Sequence, residues 1–402
     1  MNRIVVSCCG LLLFSSCLLS LFDSDLSADE SKSVAEGLPH VDPKGLGMRV
    51  DRLRKIDDVV DDGIRRGNMP GCVVCIGYRG NIVWLKAYGD RQVEPEREPM
   101  TTDTVFDLAS LTKPIATATS VMLLAERGAI EVDAPVSKYL PDFVSHGKDT
   151  ITIGQLLTHQ SGLIPDNALS DYTDGERQAM QRIRELDLRS TPGTKFAYSD
   201  VGFIVLGDLV RSVSGESLGD FTATNLFEPL GMVETGFLPD EVLRKRAAPT
   251  QQRDGKPMRG EVHDPRAFLL GGVAGHAGLF STAEDLAKFA QMLINGGELE
   301  TSAGTKRIMD ETTVRQMTAR RQVSSGWRTF GWDAQSPYSS NRGDLFSDEA
   351  FGHGGFTGTA IWIDPPQEMF VIFLSNRVHP DGKGSVNSLA GRIATLAAAA
   401  IP

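Results

Sequence analysis

Apolar positions along the chain follow two spacings, one helical and one strand-like, and these alternate between residues 50 and 400. Residues 50–66 repeat an apolar residue every three or four positions, which predicts an amphipathic helix. The next two runs, 72-CVVCIGYRG-80 and 81-NIVWLKAYGD-90, are short, apolar and joined at a glycine, which predicts two strands. Strand patterns return in 358-GTAIWIDP-365 and 369-MFVIFLSNRV-378, ahead of a small-residue helix that closes the chain.

The middle of the chain, about 130–270, has helical and loop patterns without a strand-like run. With strands at both ends, this predicts an α/β (α+β) fold. One antiparallel sheet would be built from both termini and flanked by helices, with an inserted all-helical region. A further helix is expected from 281-STAEDLAKFAQML-293, where Ser281 and Glu284 have the spacing of a capping box.

The N-terminus has the pattern of a secretory signal peptide over residues 1–28, with an apolar run over 4–22 and small residues at its end. Residues 29–47 are polar with proline and glycine and predict a linker, which leaves 48–400 as the folded domain. The predicted location is therefore periplasmic or secreted. Because the apolar run is nearly long enough to span a bilayer, an uncleaved N-terminal anchor is the alternative. No later segment is apolar enough to cross a membrane.

Composition narrows the possible partners. The 402 residues are 41% hydrophobic and 23% charged, as in ordinary globular proteins, and the net charge of -11 argues against a nucleic-acid partner. Only Cys72 and Cys75 lie outside the predicted signal peptide. Within a strand, residues three apart point to opposite faces, so this C-x-x-C predicts two core residues instead of a redox or metal pair. The sequence gives no indication of oligomeric state.

The stretch 107-DLASLTKPIATATSVMLLAERG-128 combines a serine and a lysine with a long apolar run. A helix that is apolar on nearly all sides is a buried helix. Its first turn would carry Ser110 and Lys113 into the interior, where an unpaired ammonium is costly. The spacing places both side chains on one helical face, where a lysine amine can accept the serine proton. The helix N-terminus would add positive potential where an oxyanion forms.

The segment 192-PGTKFAYSDVGFIVLGDL-209 places Tyr198 and Asp200 between a Pro-Gly turn and an apolar helix. Tyr-x-Asp also occurs at Tyr88 and Tyr172, so the motif does not distinguish the three tyrosines. Tyr198 is favoured only by its position between the turn and the apolar helix. A buried tyrosine is most often a core residue with a satisfied hydroxyl. Beside Ser110, its hydroxyl could instead carry a proton to a leaving group.

A glycine-rich stretch, 351-FGHGGFTGTAIWID-364, precedes a strand pattern near the C-terminus. Glycines inside a strand often mark close approach of a ligand to the backbone. The N–H groups of this strand could then serve as an oxyanion donor and as partners for an extended peptide. An ordinary glycine-rich turn before a strand is the alternative.

In this order, the three pieces resemble the serine β-lactamase and penicillin-binding-protein superfamily, whose motifs are S-x-x-K, S/Y-x-N and K-T-G. The tyrosine version is similar to the class C branch, with its D-alanyl-D-alanine carboxypeptidases and family VIII carboxylesterases. The resemblance extends over about residues 50–400, in PGCVVCIGYRGNIV, FDLASLTKPIATA, IGQLLTHQSGL, SGESLGDF, LFEPLGM, GGVAGHAGLFSTAEDLAKF and GHGGFTGT.

The resemblance implies catalysis by Ser110 as nucleophile, Lys113 as its base partner and Tyr198 as proton shuttle. It also implies an oxyanion hole made by the backbone N–H groups of Ser110 and Phe356. The expected reaction is acyl transfer to Ser110 followed by hydrolysis, without metal or cofactor. The substrate would be a small molecule or a peptidoglycan peptide, with a family VIII-type carboxylesterase and a catalytically inactive penicillin-binding-like module as alternatives.

The residues expected to contact substrate are Asp200, His353, Gly354, Gly355 and Phe356. Two of them depart from the motif set of the superfamily. Asp200 occupies the position where asparagine is usual, and His353 occupies the position of the lysine that opens the third motif. Both changes predict weaker recognition of a β-lactam or of its carboxylate.

Other serine motifs have a weaker context. Gly215–Gly219 matches the G-x-S-x-G nucleophile elbow of α/β-hydrolases, but Ser217 lies between two helical patterns and is expected to cap a helix. A second Ser-x-x-Lys, Ser145 with Lys148, lies in a polar stretch without an apolar helix behind it.

A metal site is the remaining chemistry to consider. His263, Asp264 and His276 could be ligands, but their spacing matches no recognised ligand pattern, so loop roles with backbone hydrogen bonds are expected.

Overall fold

The structure is a computed structural model that describes residues 37–302 and 304–402. The strands of this part of the chain are β1 (Gly71–Tyr78), β2 (Asn81–Gln92), β3 (Glu98–Pro99), β4 (Phe106–Asp107), β5 (Gly236–Phe237), β6 (Gln252–Arg253), β7 (Lys256–Pro257), β8 (Leu279–Ser281), β9 (Glu298–Thr301), β10 (Gly304–Arg307), β11 (Arg321–Val323), β12 (Gly326–Arg328), β13 (Asp333–Gln335), β14 (Phe351–Gly355), β15 (Thr359–Asp364) and β16 (Met369–Ser375). The α-helices are α1 (Val50–Arg65), α2 (Thr119–Glu126), α3 (Ile153–Leu157), α4 (Glu176–Arg184), α5 (Asp200–Ser214), α6 (Leu218–Thr222), α7 (Glu228–Leu230), α8 (Glu241–Arg246), α9 (Pro265–Leu269), α10 (Ala283–Ile294), α11 (Glu311–Thr318) and α12 (Asn387–Ala398).

Nine antiparallel strands form the main sheet, in the order β11-β12-β13-β14-β15-β16-β1-β2-β3. Strand β1 pairs with β2 on one side and with β16 on the other, in a register that sets Cys72 opposite Ser375 and Tyr78 opposite Met369. The N-terminal and C-terminal strands therefore share one sheet, and the predicted fold class is confirmed.

The sheet separates two apolar cores, and β1 shows the division directly. All eight of its residues are buried, as expected for a continuous apolar run at the centre of a sheet. Cys75 packs on the side of the helical region, whereas Cys72 packs on the side of α1 and α12. Both cysteines are free and buried, in agreement with the predicted core role on opposite faces.

The described end of the predicted linker, residues 37–47, packs on the sheet instead of extending away from it. The Val41 N–H donates to Ile82 O at 3.0 Å, and the Ile82 N–H donates to Pro39 O at 2.8 Å. Leu38 is buried in the core. These backbone bonds explain why a polar segment is ordered here. The predicted signal peptide and the first part of the linker lie outside the described residues.

Between 130 and 270 the chain is mainly helical, with one correction to the predicted all-helical region. The two-residue strands β5, β6 and β7 lie within these bounds, β5 against β8 and the other two against each other. Strands this short are below the length at which a hydrophobic pattern can be read. Among the described helices, none combines the length and hydropathy that a membrane crossing requires.

The predicted capping box at α10 is also corrected. Thr282 is the N-cap, and its side chain accepts from the Asp285 N–H. Ser281 is instead the last residue of β8, where it pairs with Phe106. The helix therefore begins one residue later than the Ser281–Glu284 spacing predicts, because strand pairing holds Ser281.

Candidate active site

Ser110 lies in a single 3-10 turn, Ala109–Leu111, that follows β4 and leads into the buried helix. Ala109 has a φ of 48°, in the left-handed region that non-glycine residues rarely adopt. Its N–H donates to Asp107 Oδ1 at 2.8 Å, which holds the turn in this conformation. Strain of this kind persists only where surrounding contacts fix it, and it is common at functional sites.

The helix behind Ser110 begins as a π-helix, Lys113–Ala118, and continues as α2. Every residue of this π-helical turn is buried, as predicted for the apolar run. Single π-helical turns are rare in proteins, and those that occur are often found at functional sites. Here the turn carries the fully buried Lys113 directly beneath Ser110.

Three groups surround the Lys113 ammonium. Its Nζ atom donates to Ser110 Oγ at 3.0 Å and to the His276 carbonyl at 3.0 Å. It also lies 2.6 Å from Asp200 Oδ1, in an ion pair with Lys113 fully buried and Asp200 largely so. The Ser-x-x-Lys spacing thus brings the two side chains into hydrogen-bond contact.

The charge of Lys113 follows from this environment. Burial lowers the pKa of the ammonium, but interactions with Asp200 and Tyr198 outweigh burial and raise the pKa well above its ordinary value. Lys113 is therefore protonated in the resting site.

Tyr198 lies beside this pair, immediately before the Ser199 cap of α5. Its ring stacks on His159 at a centroid distance of 4.4 Å and on Tyr338 at 5.0 Å. The Lys113 Nζ atom is 5.0 Å from its centroid. Burial raises the pKa of the Tyr198 hydroxyl, and Lys113 offsets only part of that effect. The resting site therefore holds a protonated tyrosine next to a protonated lysine.

The other two Tyr-x-Asp matches lie elsewhere. The Tyr88 hydroxyl donates to Asp57 at 2.7 Å, and the buried Tyr172 hydroxyl donates to Asn167 at 2.5 Å. Both hydroxyls are satisfied by structural partners.

The alternative serine motifs also have structural roles. Ser217 caps α6 by accepting from the Asp220 N–H, as predicted. Lys148 donates to the backbone carbonyl of Ser145 and not to its hydroxyl.

Strand β14 brings the glycine-rich stretch against the turn that carries Ser110. A Cβ atom on Gly355 would lie 2.5 Å from the Leu108 carbonyl oxygen, so only glycine permits this approach. Two hydroxyls fix the contact, since Thr357 donates to Asp107 O at 2.7 Å and Thr359 donates to Leu108 O at 3.0 Å.

His353, on the same strand, is buried and carries no charge. Its Nδ1 atom lies 2.7 Å from Gly354 O, and its Nε2 atom has no hydrogen-bond partner. Burial, followed by the charges of Arg328 and Lys113, lowers its pKa far below the ordinary value for histidine. A lysine here would add a cation, whereas His353 contributes a neutral ring.

These residues open onto one cleft of about 380 Å³. Its lining includes the residues Ser110, Tyr198, Arg328, Asp333, Tyr338, Asn341, His353, Gly354, Gly355, Phe356, Arg377, Ser385 and Asn387. Lys113 lies behind Ser110, and Phe356 and Tyr338 are exposed aromatic rings in the lining.

No sequence pattern indicated several residues of this site. Arg328 is fully buried 3.3 Å from Asp333, and Arg377 lines the cleft with its guanidinium over the Phe356 ring. His159, which supports Tyr198, lies in the stretch IGQLLTHQSGL that carried the family resemblance, and that was the available signal. Arg328, Asp333 and Arg377 reach the site through long-range packing, which the spacing of residues in the sequence does not indicate.

Comparisons with known proteins identify the family and the fold of the chain. The sequence model of the Beta-lactamase family matches residues 56–395. A protein of Escherichia coli (strain K12) named "Putative D-alanyl-D-alanine carboxypeptidase" is 33% identical over 379 residues, covering 84% of this chain and 85% of that protein. A penicillin-binding protein homologue from Caulobacter crescentus aligns with a TM-score of 0.70 at 21% identity, covering 87% of this chain and 98% of that chain. A family VIII carboxylesterase aligns with a TM-score of 0.67 at 23% identity, covering 86% and 96%.

The fold and the family match define the class of protein, a serine hydrolase with the β-lactamase and penicillin-binding-protein fold. The chain belongs to the Beta-lactamase family. The resemblance inferred from the sequence motifs is confirmed. The two solved structures, at 21% and 23% identity, show the fold.

Proposed function

We propose that this chain hydrolyses acyl-D-alanyl-D-alanine peptides through an acyl-enzyme on Ser110, as a D-alanyl-D-alanine carboxypeptidase. The observation that carries the proposal is the 3.0 Å hydrogen bond from Lys113 Nζ to Ser110 Oγ at the base of an open cleft. This bond orients Ser110, and the neighbouring Tyr198 can activate it as a nucleophile once the tyrosine has lost its proton. The name of the Escherichia coli relative supports the choice of substrate.

In the first half of the reaction, Ser110 Oγ attacks the substrate carbonyl carbon and loses its proton to Tyr198. Lys113 cannot accept that proton, because its pKa is raised and it is already an ammonium. The reacting form of the site therefore has one proton fewer than the resting form, with Tyr198 as the phenolate, and the pH at which it forms belongs to Lys113 and Tyr198 as a coupled pair. Backbone N–H groups of Ser110 and Phe356 stabilise the oxyanion.

Collapse of the tetrahedral intermediate breaks the peptide bond, and Tyr198 returns the proton to the leaving amine of D-alanine. Water then attacks the acyl-enzyme, gives a proton to Tyr198 and releases the acid, with Ser110 reprotonated. Each half-reaction uses the same groups in reverse order, so no additional acid or base is required.

The cleft offers a cation for the terminal carboxylate of such a peptide. Arg377 Nη1 donates to Gly384 O at 3.2 Å, and its guanidinium lies 4.7 Å from the Phe356 centroid. Burial lowers the pKa of Arg377, and no carboxylate of the described residues offsets that effect. A guanidinium without a counter-ion is suited to a substrate carboxylate.

Residues 1–28 support export, because they have the pattern of a signal peptide. An exported enzyme of this kind would meet peptidoglycan peptides in the periplasm or outside the cell.

Esterase activity is a second candidate, favoured by Asp200. An ionised aspartate only accepts hydrogen bonds, whereas asparagine could donate to the amide carbonyl of an acyl substrate. Small activated esters lack that amide and lose nothing at this position.

The test is hydrolysis by the full chain of an N-acylated D-alanyl-D-alanine peptide, its L-alanyl-L-alanine counterpart, p-nitrophenyl acetate and nitrocefin. Release of D-alanine from the D,D-peptide alone, abolished in Ser110→Ala, supports the carboxypeptidase. Ester hydrolysis without peptide cleavage would identify an esterase. Peptide cleavage that survives in Ser110→Ala would overturn the proposal.

A further inference from the structure

The segment 275–279, here called the crossing segment, runs across the helix that carries Ser110 and Lys113. Besides the contact of Lys113 with the His276 carbonyl, Thr117 Oγ1 donates to Gly275 O at 2.6 Å. The Leu279 N–H donates to Thr112 Oγ1 at 3.1 Å. Three bonds within five residues therefore fix the crossing segment against the nucleophile helix.

The imidazole of His276 extends from this segment to a second carboxylate. It is almost fully buried, and its Nε2 atom lies 2.9 Å from Asp264 Oδ1. The same Asp264 oxygen accepts from the Ala267 N–H at 2.8 Å and caps α9. His276 thus holds Asp264 from one side while the helix holds it from the other.

The Asp264 carboxylate belongs to the charge cluster around Lys113. One ligand atom each from Asp200, Asp264 and His276 lie within 4.8 Å of one another. Burial raises the pKa of Asp264, but His276, the Ala267 N–H and Lys113 outweigh it and hold the pKa well below its usual range. Asp264 is therefore an anion close to the Lys113–Asp200 ion pair.

This donor set also has the composition of a cation site, since carboxylates and imidazole bind divalent metals. Lys113 Nζ already lies 2.6 Å from Asp200, and an ammonium repels a second cation at that range. Asp264 thus lies within 4.8 Å of the carboxylate that pairs with Lys113, and its charge interacts with that of the ammonium.

We propose that Asp264, held by His276, is a positioning residue and the second counter-ion of Lys113, which sets the pH at which Ser110 is acylated. The inference rests on the proposed roles of Ser110 and Lys113. With two anions near one cation, Lys113 stays an ammonium directed at Ser110, and the reacting form with one proton fewer is reached only at higher pH.

Several other groups act on the same lysine, and all remain when Asp264 alone is changed. Asp200 and Tyr198 act directly on Lys113, and the charge of Lys113 is felt by His159 and His353. Asp166 interacts with Asp200, and Arg328 interacts with Tyr198. The difference between wild type and an Asp264 variant therefore reports Asp264.

The experiment measures the rate of covalent labelling by a fluorophosphonate between pH 5 and 10, on the full chain. Asp264→Asn keeps the acceptor oxygen for Ala267 and removes the charge. The midpoint of its pH profile is expected about one unit lower than in the wild type, the lower end of the effect of a neighbouring charge. Asp240→Asn is the matched control, because Asp240 caps α8 through Leu243 in the same way but does not belong to the group formed by Asp200, Asp264 and His276. Its midpoint should not move.

A purely structural role for Asp264 would lower the unfolding temperature and leave the midpoint unchanged, and that result overturns the proposal. His276→Gln is the second variant, used if Asp264→Asn does not fold. It removes the imidazole that holds Asp264, so its midpoint should move in the same direction by a smaller amount, and an unchanged midpoint in that variant overturns the proposal. Labelling of Ser110→Ala at the wild-type rate would instead contradict the proposed function.

Discussion

The Lys113 ammonium lies 2.6 Å from the Asp200 carboxylate, so the lysine next to the proposed nucleophile is held in its charged form. An asparagine at position 200 could not stabilise that charge to the same extent. This one contact links the departure of Asp200 from the usual motif to the substrate preference and the pH dependence of the site.

Asp200→Asn should raise kcat/KM for nitrocefin more than for p-nitrophenyl acetate. Asparagine can donate to the acylamide carbonyl of the β-lactam, whereas the largely buried carboxylate of Asp200 cannot, a mismatch of about 1–3 kcal/mol. Steady-state kinetics of both proteins with both substrates is the measurement. Nitrocefin hydrolysis that already rivals ester hydrolysis in the wild type, or equal gains on both substrates, would contradict this explanation.

The same variant should acylate at lower pH. The Asp200 anion raises the pKa of both Lys113 and Tyr198, so its removal makes it easier for this coupled pair to lose a proton, and the reacting form becomes populated at lower pH. The pH profile of kcat/KM for p-nitrophenyl acetate should shift to lower pH by at least one unit. An identical profile would show that Asp200 does not control the proton that acylation requires.

Arg377→Gln should impair substrates that carry a terminal carboxylate and spare those without one. Loss of a hydrogen bond to a charged group costs about 1.5–3 kcal/mol, so KM for the D,D-peptide should rise at least tenfold. The KM for p-nitrophenyl acetate should stay the same. Arg392→Gln, an exposed arginine on α12, is the control. An equal loss on both substrates would point to disruption of the cleft instead of carboxylate binding.

Gly275→Ala should destabilise the fold and loosen the crossing segment. The added Cβ would lie 1.9 Å from the Phe203 carbonyl oxygen, so backbone must move, at a cost of about 1–3 kcal/mol or more. Gly219→Ala, within α6, is the control, because a Cβ atom at this position would have no neighbouring atom closer than 3.7 Å. Urea unfolding should show a clearly lower free energy of unfolding for Gly275→Ala and an unchanged one for Gly219→Ala.

The buried Asp107 carboxyl should make the free energy of unfolding depend on pH. Burial raises its pKa to about 6, against two backbone hydrogen bonds from His263 and Ala109 that lower it. A carboxyl whose pKa rises on folding stabilises the fold while protonated. The stabilisation of the fold by protonated Asp107 is complete below about pH 4 and is lost as the pH rises to about 6. The free energy of unfolding should fall by up to about 3 kcal/mol over this range.

Urea unfolding at pH 4 and pH 7 tests this, with Asp107→Asn as the reference that cannot titrate. The wild type should lose more stability than the variant between the two pH values. Parallel losses would show that Asp107 does not titrate in this range.

The sheet could be predicted because its strands have strong local patterns. The apolar run that includes Cys72 and Cys75 specifies a central strand, and burial on both faces follows because the run is continuously apolar. The cap of α10 could not be predicted, since Ser281 and Thr282 are equally good N-caps and only pairing of Ser281 in β8 separates them.

The site divides in the same way. Ser110 and Lys113 meet because they are one helical turn apart, and the sequence contains that spacing. For Asp264 and His276, the sequence predicts loop roles with backbone hydrogen bonds and no part in the site. Their contact with the charges around Lys113 depends on the crossing segment, which packs against the nucleophile helix although more than 150 residues separate the two in sequence. No local sequence pattern indicates a contact between such distant segments.

Intact-mass and peptide-mapping mass spectrometry of the full chain, quenched during turnover of the acyl-D-alanyl-D-alanine peptide, tests the central claim most directly. The account predicts one acyl adduct, on the peptide that contains Ser110, and neither adduct nor D-alanine release in Ser110→Ala. An adduct on another residue, or D-alanine release by Ser110→Ala at the wild-type rate, would contradict an acyl-enzyme on Ser110.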